Sequence, residues 1–92
     1  MRKSIEVFVD AMEAKLNRDK EKGPWENLDP DYLWYRAADE MSELYEAMQK
    51  HKADPDKHRA DVIQECADVA NFAMMIFSQL HSDTKNLNRG MR

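Results

Sequence analysis

Ninety-two residues are expected to make one compact domain, with no room among them for a second. Two glycines, Gly23 and Gly90, are too few for a phosphate-cradling P-loop or a Gly-x-Gly-x-x-Gly dinucleotide turn. The net charge of −4, with acids and bases mixed along the chain, lacks the basic footprint of a duplex nucleic-acid binder.

Four Val, three Ile and one Thr are the only β-branched residues, while Ala, Met, Leu, Glu, Lys, Gln and Arg dominate, so an all-α protein is expected. A hydrophobic content of 42% is too high for a disordered tail and thin for a short monomer that must bury a core, and oligomerisation is the expected supplement. The single Cys66 cannot form an internal disulfide, and Met1 to Glu6 contain no apolar signal-peptide core. The longest nearly apolar stretch, Val69 to Phe77, is about half the roughly 20 residues of a membrane span. A cytoplasmic protein with no membrane partner is expected.

Ser4 can cap a first helix whose apolar residues Ile5, Phe8, Val9, Met12 and Leu16 recur at the spacing of one helical face, ending near Asn17 to Asp19. Residues 18–29 turn polar around Gly23-Pro24 and read as a connection pinned by Trp25 and Leu28. Asp29-Pro30 starts a second helix, the aspartate capping free amides and the proline losing no hydrogen bond at the first helical position. It is expected to run to about Lys50 with Leu33, Ala37, Met41, Leu44 and Met48 on its apolar face, widened by Trp34, Ala38 and Tyr45.

His51 to His58, around Asp54-Pro55-Asp56, reads as the turn to an antiparallel third helix from about Arg59 to Leu80. Its main face is Val62, Cys66, Val69, Ala73, Ile76, Phe77 and Leu80, and Phe72, Met74 and Met75 add apolar groups on nearly every other side. A helix apolar all round is buried all round, so self-association through this segment is expected. His81 to Arg92 reads as a loosely ordered polar tail. The histidines fall in loops or at helix ends, where solvent is their default surrounding, and Cys66 reads as a small buried thiol.

Charges belong on the solvent face of an amphipathic helix, so acids on or beside the apolar stripe carry information. At about 100° per residue, Glu40 falls next to Leu33 and Leu44, with Glu43 one turn along the same margin. Glu65 borders Val69 and Ile76, and Asp68 lies near Phe72. Each pair is spaced i, i+3, and antiparallel packing makes the two pairs converge. Four converging carboxylates repel one another unless a cation compensates them or they take up protons. A hard divalent ion, Mg²⁺ or Mn²⁺, suits an all-oxygen donor set, whereas the chain has no CxxC or HxxxH spacing for zinc and no Glu-x-x-His pair for a di-iron site. The plainer reading is that these acids only mark the start of a solvated face.

The run Glu40-Met41-Ser42-Glu43-Leu44, followed by Glu65-Cys66-Ala67-Asp68-Val69-Ala70-Asn71, resembles the Glu-x-x-Glu and Glu-x-x-Asp signature of the MazG-like superfamily of all-α nucleoside triphosphate pyrophosphohydrolases. The resemblance covers about Trp25 to Leu80 and is nearest to small single-module members with a tryptophan-bearing connection before the first acidic helix. It implies Mg²⁺-dependent hydrolysis of nucleoside triphosphates, with dNTPs as the leading substrates, between the α and β phosphates to a monophosphate and pyrophosphate. It also implies Glu40, Glu43, Glu65 and Asp68 as metal ligands and a dimer or tetramer built on four-helix modules.

Within that frame Glu43 is the candidate base for the attacking water. Asn71 either hydrogen-bonds substrate or satisfies a buried backbone group, and Trp25 either stacks on a base or packs at a helix junction, as does Trp34. Lys85 and Arg89 resemble the basic residues with which such enzymes grip phosphates, with a solvated tail as the alternative. Lys15, Arg18 and Lys22 share that potential, and Arg36 sits where it can pair with Glu40. Competing readings are a phosphoribosyl-ATP pyrophosphohydrolase and a non-catalytic helical dimerisation module.

Overall fold

The structure is a computed structural model that describes the backbone of residues 1–18 and 25–90 and the side chains of residues 1–18 and 25–81. The described residues are helical throughout their regular elements, as the composition predicts: α1 is Lys3–Arg18, a 3-10 turn covers Trp25–Asn27, α2 is Pro30–Ala53 and α3 is Pro55–Gly90. Helices α2 and α3 form the antiparallel hairpin, and α1 lies along α3. No helix among the described residues is long and apolar enough to cross a membrane.

The start of α2 follows its sequence signal: the Asp29 carboxylate accepts from the Asp31 amide at 2.7 Å, and Pro30 occupies the first turn. The hairpin turn is far tighter than the expected His51 to His58 loop, because Asp54 alone separates the helices. Its amide donates to the Lys50 carbonyl at 3.0 Å, closing α2, while its side chain accepts from the Lys57 amide at 3.4 Å, opening α3. Pro55, with no amide to leave unpaired, follows at once. One residue therefore caps two helices, and the polar residues on both sides join the helices instead of a loop. The C-terminal end departs in the same way: helix continues through residues 81–90, since a polar run without proline has no local reason to stop.

The interior is small. Leu33, Phe72 and Met75 form its centre, with Leu16, Trp25, Leu28, Ala37, Met74 and Ile76 packed around them, and Ala47 and Ala67 are buried as well. Gln79 ties the 3-10 turn to this end of the hairpin, its side-chain amide donating to the carbonyls of Trp25 at 2.8 Å and Leu28 at 2.7 Å. On α2 the inward face is Leu33, Ala37, Glu40, Leu44 and Ala47, while Trp34, Met41, Tyr45 and Met48, expected in the core, face water. The broad apolar stripe read from the sequence is thus two stripes, and α3 takes only one of them.

Helix α3 behaves alike, burying Ala67, Asn71, Phe72 and Met75 while Ile63, Phe77 and Leu80 stay exposed. Cys66 is only half-buried, so its surroundings are less enclosed than a core thiol's. In α1, Met12 and Leu16 are half-buried, and Ile5, Phe8 and Val9 are exposed, so only the second half of that helix is docked. Leu33 has no exposed surface and sits at the centre of the cluster. Leu33→Ala is expected to lower the unfolding free energy by about 3 kcal/mol, read from urea denaturation followed by circular dichroism.

Candidate metal centre

Midway along the hairpin the inward face of α2 changes from apolar to acidic. Glu40 is 94% buried, its exposure being 6%, although nothing in its own chemistry favours burial. It is carried inward because it shares a face with Leu33 and Ala47 at helical spacing. Glu43, one turn on, lies at the exposed margin, and Glu65 of α3 meets them from across the hairpin. Carboxylate oxygens of Glu40, Glu43 and Glu65 all lie within 4.8 Å of one another. The convergence argued from the two i, i+3 pairs therefore holds for three of the four acids.

Asp68 has a different partner. Its Oδ2 lies 3.4 Å from the Lys15 ammonium of α1, with only 14% of the Asp68 side chain and 21% of the Lys15 side chain exposed. Asp68 is still near enough for its charge to act on Glu40 and Glu65. On the α2 side Arg36 lies against Glu40, Nη2 to Oε1 at 3.3 Å, and also reaches Asp39 at 3.5 Å. Its guanidinium stands 5.3 Å from the centre of the Phe72 ring. Two cations thus flank the acids, one from α1 and one from α2.

Arg36 does not neutralise Glu40. Burial first, then the carboxyl groups of Glu43 and Glu65 and the charges of Asp68 and Glu43, push the Glu40 carboxyl up to about 8. Glu65 is raised too, chiefly by burial, against an opposing contribution from its contact with Glu40. Two ionised carboxylates at this separation repel by about 3 kcal/mol at an effective dielectric constant of 20. A proton on Glu40 is the least costly relief when no cation is bound.

A hard cation is the other relief, and the donor set fits one. Glu40 Oε2 and Glu65 Oε2 are buried without a hydrogen-bond partner, so each has a lone pair available to an ion. All donors are carboxylate oxygens, the chemistry Mg²⁺ and Mn²⁺ prefer, and an exposed Glu43 leaves the ion open to water and further ligands. Beside the acids, towards the hairpin turn, an open and largely acidic groove of about 410 Å³ is lined by Glu43, Glu46, Asp61 and Glu65 together with Ala47, Gln64 and Lys50.

The other sequence candidates separate. Asn71 is 97% buried, with 3% exposure, and its amide donates to the Met12 carbonyl of α1 at 3.2 Å, while its Oδ1 has no partner. The amide thus does serve a buried backbone group, and the oxygen stays unengaged. Trp25 packs against the apolar centre with its indole Nε1 buried and unpaired, two helical turns of α2 away from Glu40 at the level of Leu33. Trp34 is 64% exposed. The side chains of Lys85 and Arg89 lie outside the described residues, as does Lys22.

His81 is exposed as expected, stacked on Phe77, whereas His58 is half-buried and pairs with Asp61 at 3.1 Å. What the sequence reading did not assign is the partnership of Lys15 with Asp68. Its signal was present, since Phe8, Met12 and Lys15 fall at i, i+4 and i+7, which puts a lysine on an apolar stripe as surely as it puts Glu40 on one.

Compared with known proteins, the chain matches no family model, no curated protein and no solved structure.

A carboxyl whose pKa is raised on folding binds its proton more tightly in the folded state. In ion-free protein the contribution of Glu40 to stability is therefore greatest below its ordinary value of 4.5, and is lost progressively as pH rises through about 8. Thermal unfolding in the presence of a chelator checks this: Glu40→Gln should flatten that decline and unfold at a higher temperature than the parent chain above pH of about 8.

Proposed function

We propose that this protein is a Mg²⁺-dependent nucleoside triphosphate pyrophosphohydrolase of the MazG-like kind, acting on dNTPs in nucleotide-pool housecleaning in the cytoplasm. The observation that carries the reading is the convergence of Glu40, Glu43 and Glu65 from two antiparallel helices, with two buried carboxylate oxygens lacking any protein partner. A solvated acidic face has no reason to bury Glu40 at that cost. The motif Glu40-x-x-Glu43 and Glu65-x-x-Asp68, on which the family resemblance rests, supplies these same residues.

Glu40, Glu43, Glu65 and Asp68 would hold the ion. Bound there, Mg²⁺ would screen the polyphosphate, polarise the attacked phosphorus and lower the pKa of the attacking water. Glu43, the exposed acid, accepts the proton of that water as its oxygen bonds to the α phosphorus and the bond to the bridging oxygen breaks, releasing pyrophosphate. Arg36 steadies Glu40 from the core side, and the groove beside Glu43 and Glu65 has the volume of a small-ligand site.

Incubating the protein with Mg²⁺ and a panel of ribo- and deoxynucleoside triphosphates tests this, monophosphate plus pyrophosphate being the expected products. Glu40→Gln and Asp68→Asn are each expected to reduce turnover on the order of a hundredfold or more, with the fold retained by circular dichroism. Diphosphate plus phosphate would refute the bond assignment. Failure to turn over any triphosphate would direct the test to phosphoribosyl-ATP, and failure there as well would leave the helical dimerisation module.

The partner we propose is a second copy of this chain, in a four-helix-bundle-type dimer or tetramer. Trp34, Met41, Tyr45 and Met48 form a continuous stripe along α2, each at least 43% exposed, and Phe77 and Leu80 add a second apolar face on α3. Stripes of this extent on so small a core match the surface that a helical partner covers. Light scattering at micromolar concentration should report a dimer or tetramer, and Tyr45→Lys should shift it towards the monomer.

A further inference from the structure

Lys15 is the one basic side chain that α1 brings to the acid cluster among the described residues, and its position is built. Asn71 donates to the Met12 carbonyl at 3.2 Å, one turn before Lys15 on α1 and one turn after Asp68 on α3. The two helices are thereby held in a register that returns the Lys15 ammonium to Asp68, at 3.4 Å in a largely enclosed setting. Asp68 is also one of the four acids on which the metal-dependent reading of this site depends. The same carboxylate cannot serve a lysine and a divalent ion equally, because each neutralises the charge that attracts the other.

We propose that Lys15 is a substrate-phosphate-binding residue that the ion-free protein stores against Asp68, and that a divalent ion displaces it towards the triphosphate. The proposal rests on the four-acid reading given above. An ion bound to Asp68 competes with the ammonium for that carboxylate, weakens the attraction that holds it there and repels it. The four-carbon stem of lysine lets the charge swing while α1 stays docked through Asn71 and Leu16. A polyphosphate held by the ion then offers the ammonium a compensating charge. Lys15 is accordingly a competitor for the metal alone and a ligand for the metal–nucleotide complex. A lysine that only anchors α1 shares the first property and lacks the second.

The two roles have opposite signs, and the full-length chain distinguishes them. Mn²⁺ binding is followed by electron paramagnetic resonance of the free ion, first alone and then with an α,β-imido deoxynucleoside triphosphate whose scissile bridge resists hydrolysis. Lys15→Met keeps the apolar stem and removes the charge. It is expected to bind Mn²⁺ alone on the order of fivefold more tightly and the Mn²⁺–analogue complex on the order of fivefold more weakly, with Lys15→Arg close to the parent in both.

An unchanged or weakened Mn²⁺ affinity, or an unchanged analogue affinity, in Lys15→Met overturns the proposal and leaves the metal site standing. A parent chain that takes up no Mn²⁺ overturns the four-acid reading itself, and this proposal with it. Reductive methylation of the parent protein, mapped by mass spectrometry, needs no variant to fold. Mn²⁺ alone should raise modification of Lys15, and Mn²⁺ with the analogue should suppress it, whereas reactivity indifferent to both overturns the proposal.

Discussion

Holding a carboxyl group inside a two-helix interface beside other carboxyls is the constraint around which this molecule is arranged. Glu40 is buried by its place on the face that also carries Leu33 and Ala47, and the electrostatic cost is not removed by the arginine next to it. Burial and like charge outweigh Arg36, so the acid either keeps a proton or shares a cation. Everything that fixes the distance between α2 and α3 therefore also fixes the chemistry available at their centre.

The side chains that set this distance are distributed unevenly. Large residues, Leu33, Phe72 and Met75, fill the end of the hairpin nearest the 3-10 turn, where Gln79 fastens the Trp25 and Leu28 carbonyls. Towards the other end Ala47 is the buried residue of α2, and on α3 the small Ala67 is buried between Glu65 and Asp68. Between the two regimes the acids meet. The single-residue turn at Asp54 keeps the helices in register at the closed end. Helix α1 supplies the third wall through two polar ties, the Lys15 pair with Asp68 and the Asn71 bond to Met12.

This interior leaves much apolar surface outside. Trp34, Met41, Tyr45 and Met48 are spaced as a core stripe and are exposed, and Phe77 and Leu80 are each 64% exposed. Their positions explain why a hydrophobic content adequate for a core coexists with so few buried side chains. The chain carries two kinds of apolar face, one consumed by the hairpin and one directed away from it.

Local chemistry was enough to determine the helical class, the start of α2 at Asp29-Pro30 and the presence of two acidic pairs on facing helices. Capping, propensity and i, i+3 spacing each act within a few residues. The sequence also contained the signal for Lys15, a charge on an apolar stripe, but not its partner, which lies 53 positions away on α3. Only the tertiary structure decided which of two adjacent stripes on α2 turns inward. That choice depends on how α3 packs, and it moves Met41 and Tyr45 out of the expected core and Glu40 into it. The Asp54 turn was likewise invisible locally, because a residue that ends one helix and begins the next has the same composition as a loop. Periodicity states that a face exists; packing between helices determines what that face meets.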